Sequence, residues 1–140
     1  MKRSSGFTIV ELAVVIVVLA ILVTVTVVSF GRVQSDARNT SSDAKGVAIA
    51  EGLERYYETN GEYPSCALVT QANTATVTST VLKGLDPNTL TRAGATSGTN
   101  SIDCNAPGAT NFAYSGNSSG YTLSYREERT GQIVTFTSRH

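Results

Sequence analysis

From Phe7 to Phe30 the chain reads FTIVELAVVIVVLAILVTVTVVSF, and from Leu12 to Val23 every residue is apolar. A stretch that is apolar on all sides has no face to offer water, so it predicts a helix in apolar surroundings. As a helix, about 24 residues rise ~36 Å, enough to cross ~30 Å of hydrocarbon. From Arg32 to Glu58 the pattern becomes amphipathic. Val33, Ala37, Ala44, Val47 and Ala48 fall on one drifting stripe, and Ile49, Leu53, Tyr56 and Tyr57 continue it at helical steps. Both patterns together predict one continuous helix of about fifty residues. It should stop near Asn60-Gly61, because Gly61 suits a left-handed cap and Pro64 cannot continue a helix.

Cys66 to Asp103 is rich in Thr, Ala, Ser and Asn and weakly patterned. Val77, Val81, Leu82 and Leu85 predict one short helix ended by Asp86-Pro87; the rest reads as loop. Alternation returns after Asn111. Phe112 and Tyr114, then Tyr121, Leu123 and Tyr125, then Val134 and Phe136 predict about three strands of an antiparallel meander. Gly116 to Gly120 and Glu128 to Gly131 supply the turns. The apolar face of this sheet is the natural cover for the second half of the helix. The expected fold class is therefore α+β, a long N-terminal helix on a small antiparallel sheet.

Charge adds little, with 11 basic residues against 11 acidic. No basic field points to nucleic acid. The only histidine is His140, so no mid-chain imidazole activates the many Ser and Thr residues. No catalytic residue, metal site or cofactor is expected. Glu51 and Glu54 read as a solvated helix face with Lys45 and Arg55 nearby.

The N-terminus changes the picture more. Met1 to Gly6 is short and positive through Lys2 and Arg3. These residues would stay cytoplasmic and send the rest of the chain outward. Three fates fit such a segment: a cleaved signal peptide, an uncleaved anchor, or a leader cut before the apolar stretch so that the stretch is retained. Glu11 separates them, as the only charge between Arg3 and Arg32. A carboxylate at the centre of a membrane helix costs on the order of 3 kcal/mol, and a plain anchor gains nothing from it. Snorkelling to the interface is the bland alternative. In an exported chain, Cys66 and Cys104 read as one disulfide, worth about 4 kcal/mol in the chain-entropy model; two reduced buried thiols are the alternative.

The run Gly6-Phe7-Thr8-Ile9-Val10-Glu11-Leu12 resembles the N-terminal signature of type IV prepilins and type II secretion pseudopilins. The resemblance implies that a prepilin peptidase cuts after Gly6 and N-methylates Phe7. It also implies that Glu11 serves assembly. Cutting would expose an ammonium on Phe7, and a neighbour's Glu11 carboxylate would satisfy it in an apolar filament core. Desolvation offsets part of that attraction, so the pair sets register more than stability. Cleavage also removes Lys2 and Arg3, leaving two more acidic than basic residues. Moving the helix from lipid to a filament requires machinery, since both surroundings are apolar.

A second segment, Gly52 to Tyr56 followed by Asn60-Gly61-Glu62-Tyr63-Pro64, resembles the helix end of pseudopilins and related pilins. One departure is that many family members carry a proline part-way along the helix, at the place of Val28. Thr24, Thr26, Ser29 and Gly31 are weaker helix formers in the same region. No acidic cluster matches the calcium loop of major pseudopilins. Glu127 and Glu128, expected on opposite faces of a strand, are a poor ligand pair, which favours a pilus subunit.

The resemblance implies a leader at 1–6, a membrane or filament-core helix at 7–30, its amphipathic continuation at 31–60 and a head at 61–140. The precursor would sit in the cytoplasmic membrane, and the assembled form in an extracellular filament. Its partners would be copies of itself, other pilins, the prepilin peptidase and the assembly platform. A minor pilin, a pseudopilin, or a tethered or secreted binding module are the alternatives.

Overall fold

A computed structural model describes residues 6–140, save the side chain of Val28. The expected leader therefore lies outside the described residues except for Gly6. The chain divides into two compact units, Met1–Ser35 and Asp36–His140. Helix α1 (Ile9–Asn60) is a single uninterrupted α-helix, and the boundary between the units falls within it.

In the first unit, none of the described residues from Gly6 to Val33 is buried. Every large apolar side chain described from Phe7 to Phe30 is at least 47% exposed. Among the described residues, this is one helix long and apolar enough to cross a membrane, and none of its most apolar stretch is buried. On either side of Val28, hydroxyls fold back on the helix. Thr24 Oγ1 donates to Ile21 O at 2.7 Å, Thr26 Oγ1 to Leu22 O at 2.7 Å and Ser29 Oγ to Val25 O at 3.0 Å. The hydroxyls thus need no water, which suits apolar surroundings, and the helix continues through this region.

In the second unit α1 packs on a sheet. Its buried positions are Ser42, Gly46, Ile49, Gly52, Leu53 and Glu54. The expected stripe is thereby corrected: Val33 and Val47 are exposed, as are Ala37 and Ala44. Small residues mark the true contact face because the sheet comes close. A Cβ on Gly46 would lie 2.4 Å from the Phe136 ring, closer than any packing permits. The helix ends at Gly61, whose φ of +75° suits glycine, and whose N–H donates to Tyr57 O at 2.7 Å.

The sheet contains β1 (Ile102–Asp103), β2 (Phe112–Asn117), β3 (Gly120–Arg126) and β4 (Ile133–Thr137), in that order. Strands β2, β3 and β4 form the expected antiparallel meander, with Tyr114 opposite Leu123 and Leu123 opposite Phe136. β1 adds in parallel to β2, so the sheet is mixed rather than purely antiparallel. Two residues are too few to show alternation, which is why this strand left no pattern. The inner face carries Phe112, Tyr114, Tyr121, Leu123 and Tyr125, all buried against Ile49 and Leu53.

The segment between helix and sheet is more ordered than its composition suggests. Helices α2 (Cys66–Val69) and α3 (Thr74–Thr80) are followed by a 3-10 turn at Pro87–Leu90. The expected short helix lies earlier than its apolar residues implied. It begins at an Asn73 cap, whose Oδ1 accepts from Ala75 N and Thr76 N, and Leu82 and Leu85 lie beyond its end. Asn100 fastens the segment from the far side, its Nδ2 donating to Val69 O at 2.7 Å and Gln71 O at 2.9 Å.

Candidate functional site

The residues from Gly6 to Glu11 form the helix start. Gly6 and Phe7 are exposed, Phe7 at 82%, and nothing approaches a Cβ placed on Gly6 within 4 Å. Thr8 is the N-cap of α1, which begins at Ile9. Glu11 therefore sits at the third helical position. Its N–H donates to Thr8 Oγ1 at 3.2 Å, and its Oε2 accepts from Thr8 N at 3.0 Å and Thr8 Oγ1 at 2.8 Å. This is a capping box: side chain and backbone exchange hydrogen bonds, and two donors with no helical partner are satisfied. The carboxylate also lies at the positive end of the helix dipole.

The cap gives Glu11 a role within its own chain that the opening Thr-x-x-Glu pattern could have announced. It also fixes the geometry of any second role. Thr8 occupies Oε2, and Oε1 is left without a hydrogen bond among the described residues. An ammonium arriving from outside would meet a carboxylate that is already oriented and has one oxygen open. In an apolar medium the Thr8 N–H would otherwise be an orphan donor costing several kcal/mol.

Cys66 and Cys104 form a disulfide with their Cα atoms 6.0 Å apart. It ties the first residue of α2 to the residue after β1, closing most of the segment between helix and sheet. Among the described residues no group of three or more His, Cys, Asp or Glu side chains converges to hold a metal ion.

Two polar groups of the second unit escaped the sequence. Glu54 is not solvated but only 8% exposed. Its Oε2 accepts from Tyr63 Oη at 2.9 Å, and its Oε1 accepts from Arg139 N at 3.1 Å. These donors replace water, which makes the burial tolerable. Burial, and then this carboxylate, push the Tyr63 hydroxyl up to about 12. Arg92 is 2% exposed, and its hydrogen bonds among the described residues go to a hydroxyl and to backbone carbonyls. Its Nε donates to Ser42 Oγ at 3.2 Å, and its Nη1 to Gly108 O at 2.7 Å and Asn111 O at 3.1 Å. Nη2 donates to Arg126 O, and the guanidinium lies 4.8 Å from the Tyr125 ring centroid. One side chain thus joins α1, the β1–β2 connection and the end of β3.

Glu127 and Glu128 lie in the turn after β3, not on opposite faces of a strand. Glu128 takes a two-pronged contact from Arg38 Nε at 2.9 and 2.8 Å, and Arg129 pairs with Asp36 at 3.0 Å. Both pairs fasten the β3–β4 turn to α1. They are partly or largely exposed and contribute below about 1 kcal/mol each.

Residues 1–27 match a family model described as the prokaryotic N-terminal methylation motif, the prepilin signature of type IV pilins and pseudopilins. The match covers the leader and most of the apolar stretch and does not extend into the second unit. The N-terminal segment is thus that of a type IV pilin- or pseudopilin-like precursor. Comparisons with curated proteins and with solved structures found no match.

Proposed function

We propose that the chain is a structural subunit of a type IV pilus-like filament, cut after Gly6, methylated on Phe7 and assembled through its N-terminal helix. The motif match over residues 1–27 carries this proposal. Two further features support it. The apolar half of α1 is exposed along its length among the described residues, so it needs lipid or other helices around it. The capped Glu11 has one carboxylate oxygen, Oε1, without a hydrogen bond among the described residues.

In this mechanism the precursor rests in the cytoplasmic membrane with its second unit outside. The prepilin peptidase removes the basic leader and leaves a cationic Phe7. The assembly platform lifts the helix out of lipid. The Phe7 ammonium of one copy then meets Glu11 of another and sets their register. The disulfide and the Arg92 network hold the exposed unit in shape. A minor pilin or pseudopilin would use the same chemistry.

The cap within the chain and the pairing between chains can be separated. Glu11→Gln retains an acceptor for Thr8 and removes the charge, whereas Glu11→Val removes both. Both variants should insert and be cleaved, and neither should form filaments by electron microscopy of sheared surface fibres. Normal filaments from Glu11→Gln would mean that Glu11 acts only as a cap and that no charge pair sets register.

A further inference from the structure

A groove of about 310 Å3 opens beside the last turns of α1, where Arg55, Tyr56, Thr59 and Asn60 face Thr80, the last residue of α3, and Lys83 just beyond it. The volume is at the small end of ligand sites. Two cations line it and no carboxylate does. Neither Arg55 nor Lys83 forms an ion pair among the described residues, unlike Arg38 and Arg129. Two like charges around one concavity repel each other, and an anion between them relieves that repulsion.

The neutral groups narrow the chemistry. Thr59 Oγ1 donates to Arg55 O at 3.0 Å, Asn60 Nδ2 to Tyr56 O at 2.8 Å and Thr80 Oγ1 to Thr76 O at 2.7 Å. Both hydroxyl protons are therefore committed, and what Thr59, Thr80 and the Asn60 carbonyl retain is acceptor capacity. These bonds, with that of Gly61 N to Tyr57 O, also cover carbonyls at the negative end of α1 that would repel an anion. The groove thus presents cationic donors, neutral acceptors and the half-buried Tyr56 ring. A bare phosphate or carboxylate would use the cations and leave the acceptors idle.

We infer that this groove binds an acidic sugar unit of an anionic polysaccharide, with its carboxylate between Arg55 and Lys83. Its ring hydroxyls donate to Thr59, Thr80 and Asn60, and its C–H face lies against Tyr56. This site belongs to the second unit and does not depend on filament assembly.

Isothermal titration of the detergent-solubilised full chain with a galacturonate trimer tests it, beside the neutral galactose trimer, inorganic phosphate and a single-stranded oligonucleotide. The uronate should bind, weaken with added salt and lose about tenfold in affinity with either Arg55→Ala or Lys83→Ala. The neutral trimer should not bind. Both side chains are exposed, so an unchanged melting temperature in these variants confirms that the fold is intact. No uronate binding, equal binding of the neutral sugar, or binding indifferent to both substitutions would overturn the inference. Tighter binding of phosphate or oligonucleotide through the same two residues would overturn it as well.

Discussion

Val15, in the first half of α1, keeps 47% of its surface exposed, whereas Ile49, in the second half, keeps none. The two residues are chemically alike and sit on one continuous helix. The second half finds its cover in the chain itself, on the inner face of the sheet. The first half finds none among the described residues and requires it from lipid or from other helices. Helical backbone alone therefore says little about what stabilises a segment; the source of the apolar neighbours does. Substitutions in the second unit should change its stability and leave N-terminal processing alone. Substitutions at the helix start should leave the stability of the second unit alone.

The largest effect on that contrast should come from Arg92→Ala. It strands the carbonyls of Gly108, Asn111 and Arg126 and should cost about 3 kcal/mol or more, read by denaturant unfolding. Leader cleavage should be unchanged. Replacing Cys66 and Cys104 together by serine should cost about 2–4 kcal/mol. Equal loss of cleavage in either variant would break the separation between the units.

Alkali should sharpen it. Burial pushes Tyr63 and Tyr125 up to about 12, with Glu54 and Asp43 respectively adding to the rise. Tyr114 and Tyr121 shift in the same direction, again chiefly by burial. An unfolded tyrosine titrates near ~10. The neutral hydroxyls thus contribute stability that is fully present below about pH 10 and lost as pH rises towards about 12. Tyrosinate absorbance and near-UV circular dichroism should change together over that window. The smallest effect should follow Thr8→Val, which removes the cap hydroxyl and costs about 1 kcal/mol of local helix stability. Amide exchange at Ile9 to Glu11 should quicken while the melting temperature of the second unit stays put.

What the sequence revealed, and what it hid, follows the same division. Unbroken apolarity and then a helical step made α1 legible, Gly61 and Pro64 marked its end, and alternation marked strands β2 to β4. Glu11 stood out as a lone charge in an apolar run. Its bond to Thr8 was available in the Thr-x-x-Glu spacing but was overshadowed by that charge. Arg92 was illegible because its partners are carbonyls, which every residue carries, at positions scattered along the chain. Glu54 looked solvated because its donors, Tyr63 and the Arg139 amide, come from beyond its helix. The contact face of α1 was legible at Ile49 and Leu53 but incomplete, because Gly46 admits Phe136 and Gly52 admits Leu82 and Leu85 by lacking a side chain, and hydrophobicity alone does not register close approach.

Mass spectrometry of the exported protein's N-terminus tests the central claim most directly. A mature chain that begins at N-methylated Phe7 and keeps the whole of α1 is the expected result. A chain that begins near Phe30 would contradict it, since the helix that is to form the filament core would have been discarded during export.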